Sequence, residues 1–307
     1  MTGRDPFAAY RERLAAMGFR PSSALGQNFL LDPSLHRFVA KTADPSEGDL
    51  VLEVGVGLGF LTRELLARGA EVIGVEIDRR LHALVERELE GSRLRLIRAD
   101  VLGGEGGTLH PEVRKALAGA DRELLVVANL PYSVSGPLIA ELCALDRLPR
   151  RMVLLLQREL AERLCAAPAQ RTYGGLSVLV QSLFRARIVR RVGPEVFRPR
   201  PKVDSAILLA DRLAPPPEVL RPAGLRREYA AFARTLFGKR RKVLRATLGD
   251  ACLTIGRTAP LLPAAFLSRR AEALGPVEIL ALFEACLASD PDPRAPGNRG
   301  EIPDPDG

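Results

Sequence analysis

Leu50-Val51-Leu52-Glu53-Val54-Gly55-Val56-Gly57-Leu58-Gly59 is the stretch that decides how this chain folds. An apolar run enters a glycine turn, and residues 60–69 (FLTRELLARG) continue as a helix that Gly69 closes. Working outward, residues 70–78 (AEVIGVEID) read as a second strand and 79–91 (RRLHALVERELEG) as a second helix. A third strand follows at 93–100 (RLRLIRAD), a fourth at 123–132 (ELLVVANLPY) and the start of a fifth at 151–160 (RMVLLLQREL). Strand–helix alternation of this kind predicts a doubly covered, mostly parallel sheet, an α/β fold of Rossmann-like type.

The glycine loop has a chemistry of its own. Glycines let backbone approach a ligand, and the helix N-terminus beyond them offers free N–H groups. Glu76 ends the next strand, 21 residues after Gly55, where a carboxylate can accept from both ribose hydroxyls. Asp100 ends the third strand and can take the exocyclic amine of an adenine. A dinucleotide fingerprint reads G-x-G-x-x-G, whereas this chain reads G-x-G-x-G, with Phe60 at the last fingerprint position. That spacing suits S-adenosylmethionine better than a pyrophosphate, and Glu53 ahead of the glycines suits a cationic cofactor.

Asn129-Leu130-Pro131-Tyr132 closes the fourth strand at the sheet edge where open α/β folds bind ligands. An aromatic amine is a poor nucleophile because its lone pair is delocalised into the ring. Two acceptors held against its N–H groups favour a pyramidal nitrogen with the lone pair free to attack a methyl group. The Asn129 side-chain oxygen and the Leu130 carbonyl are candidates for those acceptors. Pro131 fixes the turn between strand and site, and Tyr132 offers a face for a base to stack on. An ordinary post-strand turn is the alternative.

The rest of the chain sets bounds. Its 307 residues, 47% apolar and 27% charged, suffice for two folded domains. The four cysteines are widely spaced without a CxxC pair and the three histidines do not cluster, so neither a disulfide scaffold nor a metal site is expected. The N-terminus has no secretory signal pattern, and a cytoplasmic monomer without membrane partners is the expectation. The net charge is +8, and residues 226–245 carry eight basic side chains against one acid, Glu228. Such a run suits phosphate backbones or, more plainly, a solvated helix face. Pro-rich residues 213–224 (LAPPPEVLRPAG) break the alternating pattern. The boundaries read from sequence are an N-terminal extension at 1–21, a cofactor-binding domain at 22–212, a small all-α domain at 213–288 and a disordered tail at 289–307. The run 103–108 (GGEGGT) reads as a flexible loop.

Taken together, Gly26-Gln27-Asn28-Phe29-Leu30, the Glu53–Gly59 loop, Val75-Glu76-Ile77-Asp78, Asn129-Leu130-Pro131-Tyr132, Tyr173-Gly174-Gly175-Leu176-Ser177, the run Phe197–Ser205 (FRPRPKVDS) and Arg240-Arg241-Lys242-Val243-Leu244-Arg245 carry a resemblance. From about Leu25 to Leu287 the chain resembles the bacterial 16S rRNA adenine N6,N6-dimethyltransferases (KsgA/RsmA type), which are class I S-adenosylmethionine-dependent enzymes. The resemblance implies four methyl transfers to two adjacent adenosines near the 3′ end of 16S rRNA in the 30S subunit or its precursor. It implies a cofactor site comprising Gln27, Asn28, Leu30, Glu53, Gly55, Gly57, Glu76, Ile77, Asp100, Val101 and Asn129. It implies that Phe197 flanks the target base opposite Tyr132, with Asn129, Leu130 and Pro131 completing the catalytic set. Lys202, Arg234, Lys239, Arg240, Arg241, Lys242 and Arg245 become the candidate RNA contacts. Two departures stand out: Val56 where the family usually has proline, and Ala246 where asparagine commonly follows the basic motif. The weighed alternatives are a 23S rRNA methyltransferase (Erm type), a DNA adenine methyltransferase, a catalytically silent RNA-binding assembly factor and a nicotinamide dehydrogenase.

Overall fold

A computed structural model describes residues 14–16, 18–19, 21–22, 26–118 and 122–294. Nine strands are among them: β1 (Phe29–Leu30), β2 (Leu50–Val54), β3 (Glu71–Val75), β4 (Leu94–Ile97), β5 (Leu124–Asn129), β6 (Arg151–Gln157), β7 (Phe184–Val192), β8 (Phe197–Arg198) and β9 (Ser205–Arg212). Seven form one sheet in the order β4-β3-β2-β5-β6-β9-β7. The pairs β3–β4, β2–β3, β2–β5 and β5–β6 are parallel, and β9 runs antiparallel to β6. β1 and β8 make a separate antiparallel pair in which Leu30 faces Phe197.

The chain divides into two compact units: Met1–Ala161 with Ala186–Arg212, and Glu162–Arg185 with the chain from Leu213. A single cut at 213 therefore omits one crossing, because Glu162–Arg185 belongs with the helical unit. In the first unit, β2, β5 and most of β6 and β9 are buried residue after residue, as expected of strands covered on both faces. One face packs Val51, Val127, Leu155 and Ile207 against Leu35, Val39 and Ala43 of α1 (Pro33–Ala43) and Leu65 of α2 (Phe60–Leu66). Asp32 caps α1 by accepting from the Ser34 N–H at 2.8 Å. The next sheet helix is α3 (Arg79–Glu88), followed by α4 (Pro111–Ala118) and α5 (Ser135–Cys143).

Four strands escaped the sequence reading: β1 and β8, which are only two residues long, and β7 and β9. Four arginines interrupt the apolar pattern of β7, and β9 follows a Pro-rich approach that hides its start. The N-terminal extension is also not separate where it is described. Leu14 and Phe19 are buried with Phe29, Leu58 and Leu81, and the Phe19 and Phe29 rings meet edge-on at 5.8 Å. The GGEGGT run contains a 3-10 turn, Glu105–Gly107.

The second unit is helical: α6 (Arg158–Leu164) leads into it, then come α7 (Gly175–Leu183), α8 (Ala223–Gly238), α9 (Leu248–Leu253), α10 (Ala264–Leu267) and α11 (Pro276–Leu287). An aromatic group of Tyr229, Phe232 and Phe283 fills its centre, with Tyr229 and Phe283 centroids 5.1 Å apart. The Tyr173–Ser177 motif is structural here. Ser177 Oγ donates to the Arg163 carbonyl at 2.6 Å and accepts from the Gly174 N–H at 3.1 Å. A Cβ on Gly175 would stand 2.9 Å from the Ala233 carbonyl oxygen, so only glycine lets α7 and α8 approach this closely. Cys252 and Cys286, separated by 34 residues, form a disulfide pair with Cα atoms 6.0 Å apart. No disulfide scaffold was expected from the spacing; two buried helix positions bring this one pair together. The part of the expected tail that is described, residues 289–294, is tied down: Asp292 is buried and its N–H donates to the Gly256 carbonyl at 3.0 Å. The remainder of that tail lies outside the described residues. No described helix is long and apolar enough to cross a membrane.

Candidate active site

Strand ends build the site. β2 leads into Gly55, Gly57 and Gly59, whose φ angles are +75°, +58° and +73°. This left-handed backbone is strained for any side chain, which explains the three glycines. Val56, the departure from the usual proline, is buried, and a Cβ on Gly74 of β3 would come within 2.7 Å of its Cγ2. Gly74 thus makes room for Val56, and the loop holds its course without a proline.

At the end of β3, Glu76 is 5% exposed and grips the loop from below. Its Oε2 accepts from the Gly57 N–H and its Oε1 from the Asp78 N–H, both at 2.8 Å. Burial raises its pKa, and the two backbone donors oppose that rise. Asp78 caps α3, accepting from the Arg80 N–H at 2.9 Å, and also accepts from Gln27 Nε2 at 3.2 Å. Asp100, past the end of β4, is exposed and accepts from the Leu102 N–H at 3.0 Å.

Asn129 ends β5, and its Nδ2 donates to the Asn28 carbonyl at 3.3 Å. That bond fixes the amide, so Oδ1 is the side left to accept. The Leu130 N–H completes the ladder to the Leu155 carbonyl at 3.2 Å. Ser135 Oγ donates to the Pro131 carbonyl at 2.9 Å and anchors the turn. The Tyr132 hydroxyl shares a 2.8 Å hydrogen bond with Ser205 Oγ at the start of β9, and burial pushes its pKa upward.

These pieces enclose a cavity of about 210 Å³ lined by Gln27, Asn28, Gly55, Gly57, Glu76, Ile77, Asp100, Val101, Asn129, Leu130, Pro131 and Tyr132. Ile77 is 46% exposed there and gives the cavity an apolar wall. Leu30 and Glu53 do not line this cavity. They line a second, smaller one behind the loop with His36 and Asn129. Glu53 is fully buried, its Oε2 lacks a hydrogen-bond partner, and burial raises its pKa to about 8, aided by the Glu76 charge and opposed by the Thr62 hydroxyl. His36 is also buried, with Nε2 3.0 Å from the Leu30 carbonyl and Nδ1 unpartnered.

Phe197 requires a correction. It is 1% exposed and packed with Leu30, Val192 and Ile207 in the sheet core, so it offers no face to a base opposite Tyr132. Its pairing with Leu30 across β1–β8 turns the side chain inward. Conversely, the sequence reading missed Gly26, Phe29 and Ser133, which also line the main cavity, and Ser205, which holds Tyr132. The first two stand inside the quoted Gly26–Leu30 motif, and Ser205 closes the quoted Phe197–Ser205 run.

The candidate RNA contacts divide by surroundings. Lys202 is exposed in the first unit, and Arg234, Arg241, Lys242 and Arg245 are exposed in the second. Lys239 pairs with Asp250 at 3.1 Å. Arg240 is half-buried, paired with Glu272 at 2.9 Å and bonded to the Arg171 carbonyl at 2.5 Å, so its guanidinium is held within the unit. Among the described residues no cluster of His, Cys, Asp and Glu could hold a metal ion.

A mostly parallel sheet in this strand order, with a glycine loop at β2, an acid after β3 and an Asn-Leu-Pro-Tyr turn after β5, defines a class I methyltransferase, an enzyme dependent on S-adenosylmethionine. Residues 18–260 match the family described as ribosomal RNA adenine dimethylase, and the chain belongs to that family. It is 42% identical over 252 residues to the ribosomal RNA small subunit methyltransferase A of Anaeromyxobacter dehalogenans, covering 81% of this chain and 86% of the relative. A dimethyladenosine transferase from Plasmodium falciparum has a similar structure, with TM-score 0.64 and 26% identity over 82% of this chain and 94% of that one. The 23S rRNA methyltransferase ErmE follows, with TM-score 0.54 and 27% identity over 84% of this chain and 99% of that one.

Proposed function

We propose that this enzyme methylates N6 of two adjacent adenosines near the 3′ end of 16S rRNA, twice each, during small-subunit assembly. The observation that carries the reading is the Asn129–Asn28 bond at 3.3 Å, which commits the amide nitrogen and leaves Oδ1 as an acceptor. One residue further on, the Leu130 carbonyl is the second acceptor. Together they draw the two N6–H bonds toward themselves and free the nitrogen lone pair.

S-adenosylmethionine, when bound, supplies an activated methyl group on a cationic sulfonium. The cavity fits such a group. Glu76 and Asp100 line it, Asp78 accepts from Gln27 of its wall, and the exposed Ile77 gives an apolar side. On this reading Glu76 accepts from the ribose, Asp100 takes the adenine amine, and Ile77 and Val101 flank the ring. Gln27, Asn28, Gly55 and Gly57 line the remaining wall, with Leu30 and Glu53 supporting the loop from behind.

The target base leaves its stack and lies on Tyr132, whose orientation Ser205 fixes. The raised Tyr132 pKa keeps the phenol protonated at neutral pH, so it stacks and does not act as a base. The methylated amine is acidic enough to lose its proton to water. Lys202, Arg234, Lys239, Arg241, Lys242 and Arg245 contact phosphates, while Arg240 braces the helical unit that presents the others. The chain works as a cytoplasmic monomer.

The test is methyl transfer from labelled S-adenosylmethionine to undermethylated 30S particles, with 50S particles as control and positions mapped by reverse-transcriptase stops. Label at two adjacent adenosines near the 16S 3′ end is expected. Label confined to 23S RNA would keep the chemistry and replace the substrate. No label on either particle would refute the reading.

A further inference from the structure

β7 is one of the two edge strands of the seven-stranded sheet. Its sequence, FRARIVRRV, holds four arginines and no acid in nine residues. The connection that follows carries Arg198, Arg200 and Lys202 before it reaches Ser205. Not all of these are available. Arg190 lies over the Phe38 ring at 5.1 Å, and Arg198 donates to the Glu195 and Phe197 carbonyls at 2.7 and 2.8 Å. Asp204 is already paired with Arg158 at 2.7 Å. Arg187, Arg191, Arg200 and Lys202 are exposed, and among the described residues no carboxylate forms an ion pair with any of them.

Position gives this charge a direction. Arg187 and Arg191 are four residues apart on one strand and stand about 13 Å from each other along it. Lys202 and Arg200 are three and five residues from Ser205, within about 11 and 18 Å of it along the chain. Ser205 in turn holds Tyr132. A line of unpaired positive charge thus leads along an exposed sheet edge toward the place where a target base would stack. Nucleotides flanking an extruded base carry phosphates away from it, and arginines are well suited to grip them.

We propose that Arg187, Arg191 and Arg200 form an rRNA phosphate track on the first unit, continuous with Lys202 and separate from the basic residues of the helical unit. The inference rests on the rRNA substrate proposed above. Its rival is that edge charges merely stop sheets from pairing. Glutamate separates the two, because it keeps the edge charged while reversing the sign. The experiment compares wild type with Arg187→Glu/Arg191→Glu and with Arg200→Ser. It measures binding to a 16S rRNA fragment carrying the target adenosines across a salt series, KM and kcat on undermethylated 30S particles, cofactor affinity by calorimetry, and self-association. The track predicts that the double variant binds RNA at least tenfold more weakly, with the log–log salt slope reduced by about 1.5. KM rises, while cofactor affinity stays unchanged. Arg200→Ser shows the same pattern at about half the size. Unchanged binding, slope and KM in a monodisperse Glu variant would overturn the track. If wild type binds the fragment but does not methylate the particles, the proposed function fails, and the binding comparison still decides the track.

Discussion

The cofactor-side unit and the helical unit turn their sequence signals into structure very differently. In the first, residues quoted from five separate segments meet at one cavity: four follow the ends of parallel strands, which share one edge, and the fifth, Gly26–Phe29, leads into β1. In the second, the basic stretch 226–245 divides once folded. Arg226 is 1% exposed and donates to the Leu220 carbonyl at 2.7 Å, whereas Arg234, Arg241, Lys242 and Arg245 face solvent. Strand-end position constrains where a side chain goes. Charge along a helical segment does not, since successive side chains point about 100° apart around the helix axis.

The largest effect should come from the converged site. Asn129→Ala removes one acceptor and is expected to lower kcat by about 10²–10³, with cofactor affinity changed by less than about tenfold. Single-turnover transfer and calorimetry on the same protein read both. A loss of cofactor binding that matched the loss of rate would make Asn129 a binding residue and not an acceptor for the amine.

The glycine loop, Glu76 and the Asn-Leu-Pro-Tyr turn were legible because their residue types are tied to backbone positions that only a few residues serve. Phe197 was not. A phenylalanine next to a proline-rich turn looks the same in sequence whether it faces a ligand or the core, and its direction depends on the β1–β8 pairing with Leu30. β7 was hidden for the opposite reason: as an edge strand it is solvated enough to carry four arginines, which masks its alternation. The disulfide pair and the role of Gly175 depend on helix packing between distant segments, for which no local pattern exists.

A second test concerns charge buried where the first unit is densest. Native Glu53 holds its proton up to about pH 8, while the unfolded chain releases it near the ordinary glutamate value of 4.5. Below that lower value both states are protonated and the group has no effect on the balance. Between the two values the unfolded state alone loses the proton, so stability falls by about 1.4 kcal/mol per pH unit. Above the upper value the fall levels off. Glu53→Gln removes this titration, so its stability relative to wild type should rise by a few kcal/mol between pH 5 and 8. Urea unfolding at several pH values measures the difference. Parallel profiles would mean that native Glu53 is already ionised near pH 5, and that the smaller cavity is wetter than its walls imply.

The smallest effects set the two kinds of arginine side by side. Arg226→Met should destabilise the protein by about 2–4 kcal/mol, because it strips donors from buried carbonyls. It should leave the salt dependence of RNA binding at wild-type slope in the folded fraction. Arg241→Ser and Arg245→Ser should each change stability by less than about 0.5 kcal/mol and lower the salt slope by about 0.7–0.9. Denaturant midpoints and binding isotherms over a salt series report the two quantities independently. If Arg226→Met lowered the slope as the exposed variants do, the run would act on RNA as one block, and the distinction between inward and outward arginines would be wrong for this unit. If the exposed variants moved neither quantity, phosphate contacts would have to come from elsewhere, and the arginine edge of β7 is the next surface to test.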